Sequence, residues 1–354
     1  MKILIAPDSF KGTLSAAEVC SCIEKGLRQA EKSSEIISLP LSDGGEGFAE
    51  ILSSYCNAEI LYTYCSDIYG RRKKCSYFTF GKTAVIECAQ ASGLQKKKDV
   101  MNASSYGTGE LIKAAYNKGC SNIILGLGGS GCCDGGAGAL TALGAVFRNI
   151  YGEIFDFPTG KDLENIYGAG FTKCVKELDF TFACDVTNLY YGKNGAAYVF
   201  APQKGANAND VEILDRGLKM LGAFLPKDIS RLAGAGAAGG LCGGLYGVYG
   251  GKIKSGFDII AESCNLEEKI KQADLVITGE GKTDSQTLMG KLPFKISELC
   301  KKHGTKCVLI GGVIEKGISL CSKQISLADN IISQEEAIKN AAEILTDKSK
   351  YILQ

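Results

Sequence analysis

At about 150 residues per domain, a chain of 354 residues makes two domains, each large enough to bury a core. Lys+Arg 40 against Asp+Glu 39 leaves a net charge of +1, so no basic footprint marks a nucleic-acid or anionic-membrane partner. A single His, His303, excludes His-rich metal chemistry.

Residues 2–6 form a short β-rich run, and Ser15-Ala16-Ala17-Glu18 reads as a capping box. It opens a helix with Val19, Ile23 and Leu27 on one stripe. A second strand is expected over 35–41 and a second helix over 44–55. The middle changes texture: strands over 60–64, 73–80 and 83–88 are closely spaced, as in a mixed or antiparallel sheet. A helix over 107–117 leads into a strand over 122–125, and a strand over 180–183 precedes a helix over 209–223. The last quarter alternates again, with strands over 274–278, 306–310 and 331–332 and helices over 293–302 and 335–345. First and last segments match while the middle differs. The expectation is therefore a discontinuous domain of residues 1–60 plus 262–354, with an α/β domain of residues 61–261 inserted.

The 16 Cys form no framework of paired CxxC motifs, and Met1-Lys2-Ile3-Leu4-Ile5 reaches Pro7-Asp8 too soon for a signal peptide. Reduced core thiols in a cytoplasmic protein are expected. The uncharged run 234–251 holds too few large apolar side chains to span a bilayer.

Acids and glycines gather where strands end. The expected strands are followed by Asp8-Ser9-Phe10-Lys11-Gly12, Ser42-Asp43-Gly44-Gly45-Glu46-Gly47, Gly126-Leu127-Gly128-Gly129-Ser130-Gly131 with Asp134, Asp185-Val186-Thr187-Asn188, and Gly279-Glu280-Gly281-Lys282-Thr283-Asp284. Asp and Gly are good turn formers, so any one such loop says little. Five together describe a polar cleft at the carboxyl ends of strands, where open α/β sheets bind ligands. Glycine N–H groups with Lys suit phosphate, and scattered carboxylates suit Mg²⁺. Phosphoryl transfer needs no His.

Standard fingerprints are weak. Gly126-x-Gly128-x-x-Gly131 matches a dinucleotide pattern, but so does Gly234-x-Gly236-x-x-Gly239; Gly281-Lys282-Thr283 lacks the first glycine of a Walker motif. His-Arg-Asp and Asp-Phe-Gly elements of protein kinases are missing. A dehydrogenase and a non-catalytic regulator are the rival classes. His303 reads as the cap of a helix end.

Further strings join these in order: Ala91-Ser92-Gly93-Leu94, Ser105-Tyr106-Gly107-Thr108-Gly109-Glu110-Leu111, Pro202-Gln203-Lys204-Gly205-Ala206, Gly234-Ala235-Gly236-Ala237-Ala238-Gly239-Gly240, Gln286-Thr287-Leu288 and Gly290-Lys291. With them the chain resembles the bacterial type I glycerate kinase family over nearly its whole length. It departs from the pattern at Cys132-Cys133, Leu189, Ala201 and Lys282. The resemblance implies ATP-dependent phosphorylation of D-glycerate, with 2-phosphoglycerate as product, between two α/β domains. One would be flavodoxin-like with a parallel sheet; the inserted, mixed-sheet one would resemble restriction endonucleases. Another small hydroxy acid, or 3-phosphoglycerate as product, is the alternative. Oligomeric state is left open.

Roles follow as expectations. Lys11 and Lys291 would contact phosphate or carboxylate, and Asp43 would take the proton of the glycerate hydroxyl. Asp8, Ser9, Gly44, Gly45 and Glu46 would surround the substrate. Gly128, Gly129, Ser130 and Asp134 would hold nucleotide phosphates, and Asp185, Asp284 and Glu280 would hold Mg²⁺. The run 234–240 allows either a ligand or a packed helix to come close.

Overall fold

A computed structural model describes residues 1–45, 47–172 and 174–353. The chain divides into two compact units, Met1–Asp43 with Phe257–Gln354, and Gly44–Gly256. The first unit opens with β1 (Lys2–Ile5), α1 (Ala16–Ala30) and β2 (Glu35–Ser38). The second holds α2 (Phe48–Tyr55), β3 (Glu59–Ser66), β4 (Arg72–Phe80), β5 (Thr83–Glu87), α3 (Ala89–Ser92), α4 (Tyr106–Asn117), β6 (Asn122–Gly126), α5 (Ala137–Ala142), β7 (Val146–Arg148), β8 (Gly168–Gly170), β9 (Asp179–Ala183), α6 (Ala196–Phe200), α7 (Ala208–Phe224), α8 (Leu241–Tyr249) and β10 (Lys252–Lys254). The chain then returns with α9 (Gly256–Ser263), α10 (Leu266–Lys271), β11 (Leu275–Thr283), α11 (Leu292–His303), β12 (Lys306–Ile314), β13 (Lys323–Ser326), α12 (Gln334–Lys339) and α13 (Ala341–Ser349).

In the first unit five parallel strands lie in the order β2-β1-β11-β12-β13. Counted within the unit this is 2-1-3-4-5, the doubly wound order of flavodoxin-like folds. Ile3, Leu4 and Ile5 are all buried, as a parallel strand covered on both faces requires. The capping box at Ser15 and Glu18 forms, and the Val19-Ile23-Leu27 stripe packs into a core with Ile277, Ile310 and Leu345. The last strand differs from expectation. It is β13, whose Lys323-Gln324-Ile325-Ser326 is a short, half-buried edge without a strong apolar signal, whereas Ile331 is 91% exposed. The helix expected over 335–345 is broken at Asn340, between α12 and α13.

The second unit is built on a six-stranded mixed sheet, order β10-β9-β6-β5-β4-β3. Strands β10, β9, β6 and β5 run parallel; β4 is antiparallel to both β5 and β3. The close spacing of the three strands between residues 59 and 87 is this β3–β4–β5 meander. The glycine-rich run forms α8 and the turn before it, and packing explains its composition. A Cβ on Gly239 would lie 2.1 Å from the Cys132 carbonyl oxygen, and one on Gly244 2.1 Å from that of Gly135. Tyr190, fully buried, donates its hydroxyl hydrogen to the same Gly135 carbonyl at 2.7 Å. Helix α2 packs on β4 and β5, so the chain enters this unit at residue 44, ahead of the expected 61, and leaves it at 256 rather than 261. All sixteen Cys are free thiols, most of them buried. Among the described residues no helix is long and apolar enough to cross a membrane.

Candidate active site

In the 2-1-3-4-5 order, the strand sequence reverses between β1 and β11, and the loops leaving their carboxyl ends bound the crevice that such sheets use for ligands. Here Asp8-Ser9-Phe10-Lys11 follows β1, while Glu280 lies within β11 and Asp284 just beyond it. Together with Lys291 they line a cavity of about 440 Å³. The two loops are stitched by the Asp8 N–H, which donates to the Gly279 carbonyl at 2.9 Å.

Six of the expected side chains, Asp8, Lys11, Asp43, Glu280, Asp284 and Lys291, meet electrostatically at this spot. Asp8 is 5% exposed and accepts from the Ser9 N–H at 2.6 Å. Burial, then the neighbouring Asp43 carboxylate, push its carboxyl up to about 7, while Lys11 and the Ser9 N–H pull the other way. Lys11 Nζ lies 3.4 Å from Asp43 Oδ2. Desolvation works against the Lys11 ammonium, but Asp43 and Asp8 outweigh it and hold its pKa above the usual lysine value. Glu280 is buried and pushed up by that burial, although Thr287 Oγ1 donates to its Oε1 at 2.6 Å. Asp284 behaves oppositely: desolvation is outweighed by the Gln286 N–H, Lys282 and Lys291, and its carboxyl sits below the ordinary range. Lys282 is 3.4 Å and Lys291 4.0 Å from its oxygens. Lys291 immediately precedes α11, at its N-cap.

The second unit holds the other expected residues. Gly44 has φ +99°, and a Cβ there would lie 2.4 Å from Asp185 Oδ2, so only glycine lets that carboxylate close over the chain. Asp185 is exposed at the end of β9, and the Gly256 N–H donates to its Oδ2 at 3.4 Å. The Gly45 carbonyl accepts from the Phe48 N–H at 3.2 Å and so starts α2. Glu46, expected beside the substrate, lies outside the described residues.

The loop after β6 turns its carbonyls inward: Gly128 accepts from the Cys88 thiol at 3.6 Å and Gly129 from the Leu94 N–H at 2.9 Å. Gly128 and Gly129 are exposed, and Ser130 beneath them is buried. Asp134, expected among the nucleotide ligands, is 0% exposed. Its oxygens accept from the N–H groups of Ser105, Gly136 and Gly138 and from the Ser105 hydroxyl, which fixes it beneath the loop as a shaping residue. Burial raises its pKa in spite of these donors. Cys132 and Cys133 are fully buried, so the departure from the family pattern costs the loop no outward contact. Sequence reasoning passed over Lys204, which lies 3% exposed and donates to Ser130 Oγ at 2.9 Å. It also passed over Thr287, which orients Glu280. Both stood in strings the sequence singled out; burial, which marks them, is invisible there. His303 ends α11 as expected, half-buried and 2.7 Å from Glu267 Oε1.

The model of the glycerate kinase family matches residues 3–354. The chain belongs to the glycerate kinase family. It is thus a kinase, carried on the two α/β units described above. It is 37% identical to the glycerate 2-kinase of Escherichia coli (strain K12), over 99% of this chain and 97% of that one. The glycerate kinase of Bacillus cereus (strain ATCC 10987 / NRS 248) is 38% identical at the same coverage, 99% and 97%. A crystal structure assigned as glycerate kinase 2 from Salmonella typhimurium LT2 superimposes with a TM-score of 0.87 at 36% identity, covering 99% of this chain and 97% of that one.

Proposed function

We propose that this kinase transfers the terminal phosphoryl group of ATP to the 2-hydroxyl of D-glycerate, releasing 2-phosphoglycerate and ADP. The observation that carries this reading is the cavity at the β1/β11 reversal, where carboxylates and lysines of one unit converge at a size fit for a small anionic ligand. The 2-position is supported by the name of the Escherichia coli relative.

Lys11 and Lys291 bind the glycerate carboxylate and the transferring phosphoryl oxygens. Asp43, held against the Lys11 ammonium, takes the hydroxyl proton as the glycerate oxygen bonds to phosphorus and the bridging oxygen leaves with ADP. The Gly128–Gly129 N–H groups and the Ser130 hydroxyl take the nucleotide phosphates. The donor set fits Mg²⁺. It is hard oxygen throughout, which is what Mg²⁺ prefers, and Mg²⁺ needs only one or two carboxylates beside phosphate oxygens. Glu280 and Asp284 would hold the ion. When bound it neutralises phosphate charge.

One observation favours a second assignment of the base. Asp8, with its carboxyl near 7, is poised for proton transfer at neutral pH. The two readings separate cleanly. With Asp43 as base, Asp43→Asn cuts turnover at least about 100-fold. With Asp8 as base, Asp43→Asn retains turnover and moves the acid limb of kcat/KM to lower pH, because the charge that raises Asp8 is gone.

The test of the whole reading is phosphorus NMR on the protein with ATP, Mg²⁺ and D-glycerate, with and without EDTA. A new phosphomonoester on the 2-hydroxyl that EDTA abolishes is the expected result. A 3-phospho signal would overturn the product, and silence with D-glycerate but turnover of another hydroxy acid would overturn the substrate.

A further inference from the structure

Lys204 is a lysine that the protein buries without an acid. Its ammonium donates to Ser130 Oγ at 2.9 Å and to the Cys132 carbonyl at 2.8 Å, and among the described residues no carboxylate lies within 4.0 Å of it. A buried charge with no counter-charge destabilises the isolated protein, so its retention calls for a reason. An ammonium has three N–H donors, and two are accounted for.

The surroundings say what would complete it. Ser130 accepts from Lys204 through a lone pair, which leaves the hydroxyl hydrogen to donate elsewhere. Immediately before it, the loop carbonyls of Gly128 and Gly129 are engaged with Cys88 and Leu94, whereas the N–H groups of Gly128 and Gly129 meet no protein acceptor among the described residues. Gly129 has φ +71°, the conformation that turns successive N–H groups to one side. The loop leaves the carboxyl end of β6, inside the parallel part of its sheet, where ligands collect. Backbone donors and a hydroxyl donor thus lie above one fixed positive charge.

We propose that Lys204 is the positioning residue of this loop: it orients Ser130 as a donor and supplies the charge that binds the phosphate chain of the nucleotide. The assignment rests on the reading of Gly128–Ser130 as a nucleotide phosphate site, and it adds the group that gives that site its charge. It also makes the site selective for anions, so the nucleoside part of the ligand should not sense Lys204 at all.

The experiment is titration calorimetry of the full chain with ADP and separately with adenosine, on wild type, Lys204→Met, Ser130→Ala and Gly128→Val, with steady-state KM values for ATP and glycerate alongside. Lys204→Met keeps the length and bulk of the side chain. It should weaken ADP by about tenfold or more, as loss of a charge-assisted hydrogen bond does, and leave adenosine unchanged. KM for ATP should rise while KM for glycerate stays within about twofold of wild type. A merely structural role would weaken ADP and adenosine alike, and that result would overturn the proposal. So would a rise in KM for glycerate alone, which would give the cradle to a carboxylate. Gly128→Val obstructs the loop without touching Lys204. ADP binding lost there but intact in Lys204→Met keeps the loop and removes Lys204; intact in both, it removes the phosphate site itself. Should Lys204→Met fail to fold, Ser130→Ala decides by the same comparison of ADP with adenosine, together with competition between inorganic tripolyphosphate and ADP on wild type. Selective loss of ADP affinity and competition support the proposal; unchanged affinity or no competition overturns it.

Discussion

The two units handle charge in opposite ways. At the β1/β11 reversal the first unit gathers ionisable side chains, some buried and some exposed, whose pKa values are pulled in both directions: Asp8 and Glu280 up, Asp284 down. At the loop after β6 the second unit offers backbone N–H groups, with its one carboxylate, Asp134, fully satisfied by four donors. One arrangement can exchange protons and respond to pH. The other is fixed in geometry, its carboxylate also raised by burial but held by its own backbone. The contrast teaches that an acid-and-glycine loop has two physical meanings, decided by whether the carboxylate faces a cavity or its own backbone.

The largest expected effect breaks the second arrangement. Asp134→Ala leaves the N–H groups of Ser105, Gly136 and Gly138 without an acceptor and should cost about 3–5 kcal/mol of stability in chemical denaturation. An Asp134 that served a ligand would cost activity with little stability.

Next comes Asp8. Its carboxyl is raised from 3.8 to about 7, so the folded state holds a proton that the unfolded chain gives up between those values. Its contribution to stability is present below about pH 4, is lost as pH rises through 7, and is flat above. Asp8→Asn should therefore stabilise the protein at pH 8 by up to about 4 kcal/mol, the gain shrinking towards pH 4. Melting curves across pH check the sign; a gain that grows on acidification would show the opposite shift.

Asp43→Asn follows, with turnover expected to fall at least about 100-fold at unchanged melting temperature. The smallest effect sharpens the comparison from the exposed side. The Lys11–Asp43 pair is largely solvent-facing and worth under about 1 kcal/mol to stability. Lys11→Met should thus leave the melting curve nearly unmoved while KM for glycerate rises about tenfold. A matching loss of stability would make the pair structural.

The parts legible in the sequence were those with local causes. The Ser15–Glu18 box, the Val19-Ile23-Leu27 stripe and the alternation of β1, α1 and β2 follow from spacing alone, and the strand-end strings, with the Gly290-Lys291 pair, named Asp8, Lys11, Glu280, Asp284 and Lys291, which line one cavity. What stayed hidden depends on distant partners. β13 is a strand only because β12 pairs with it. Asp134 and Asp185 read alike in a string, yet one is sealed and the other exposed. The glycines at 239 and 244 answer to carbonyls of Cys132 and Gly135, about 110 residues away in the chain. Lys204 gave no sign of burial, since lysines are almost never buried and propensity carries no exception for a useful one.

The pairing of β1 with β11 has a consequence for how the protein is made. Ile3 meets Leu275 across some 270 residues of chain, so an inner strand of the first sheet is made first and meets β11, its neighbour on the inner side, only late. In the interval the second unit has everything it needs to fold, while β1 has only β2 beside it. A released fragment ending near residue 260 should accordingly display a folded, protease-resistant unit of residues 44–256 behind an N-terminal segment still open to cleavage.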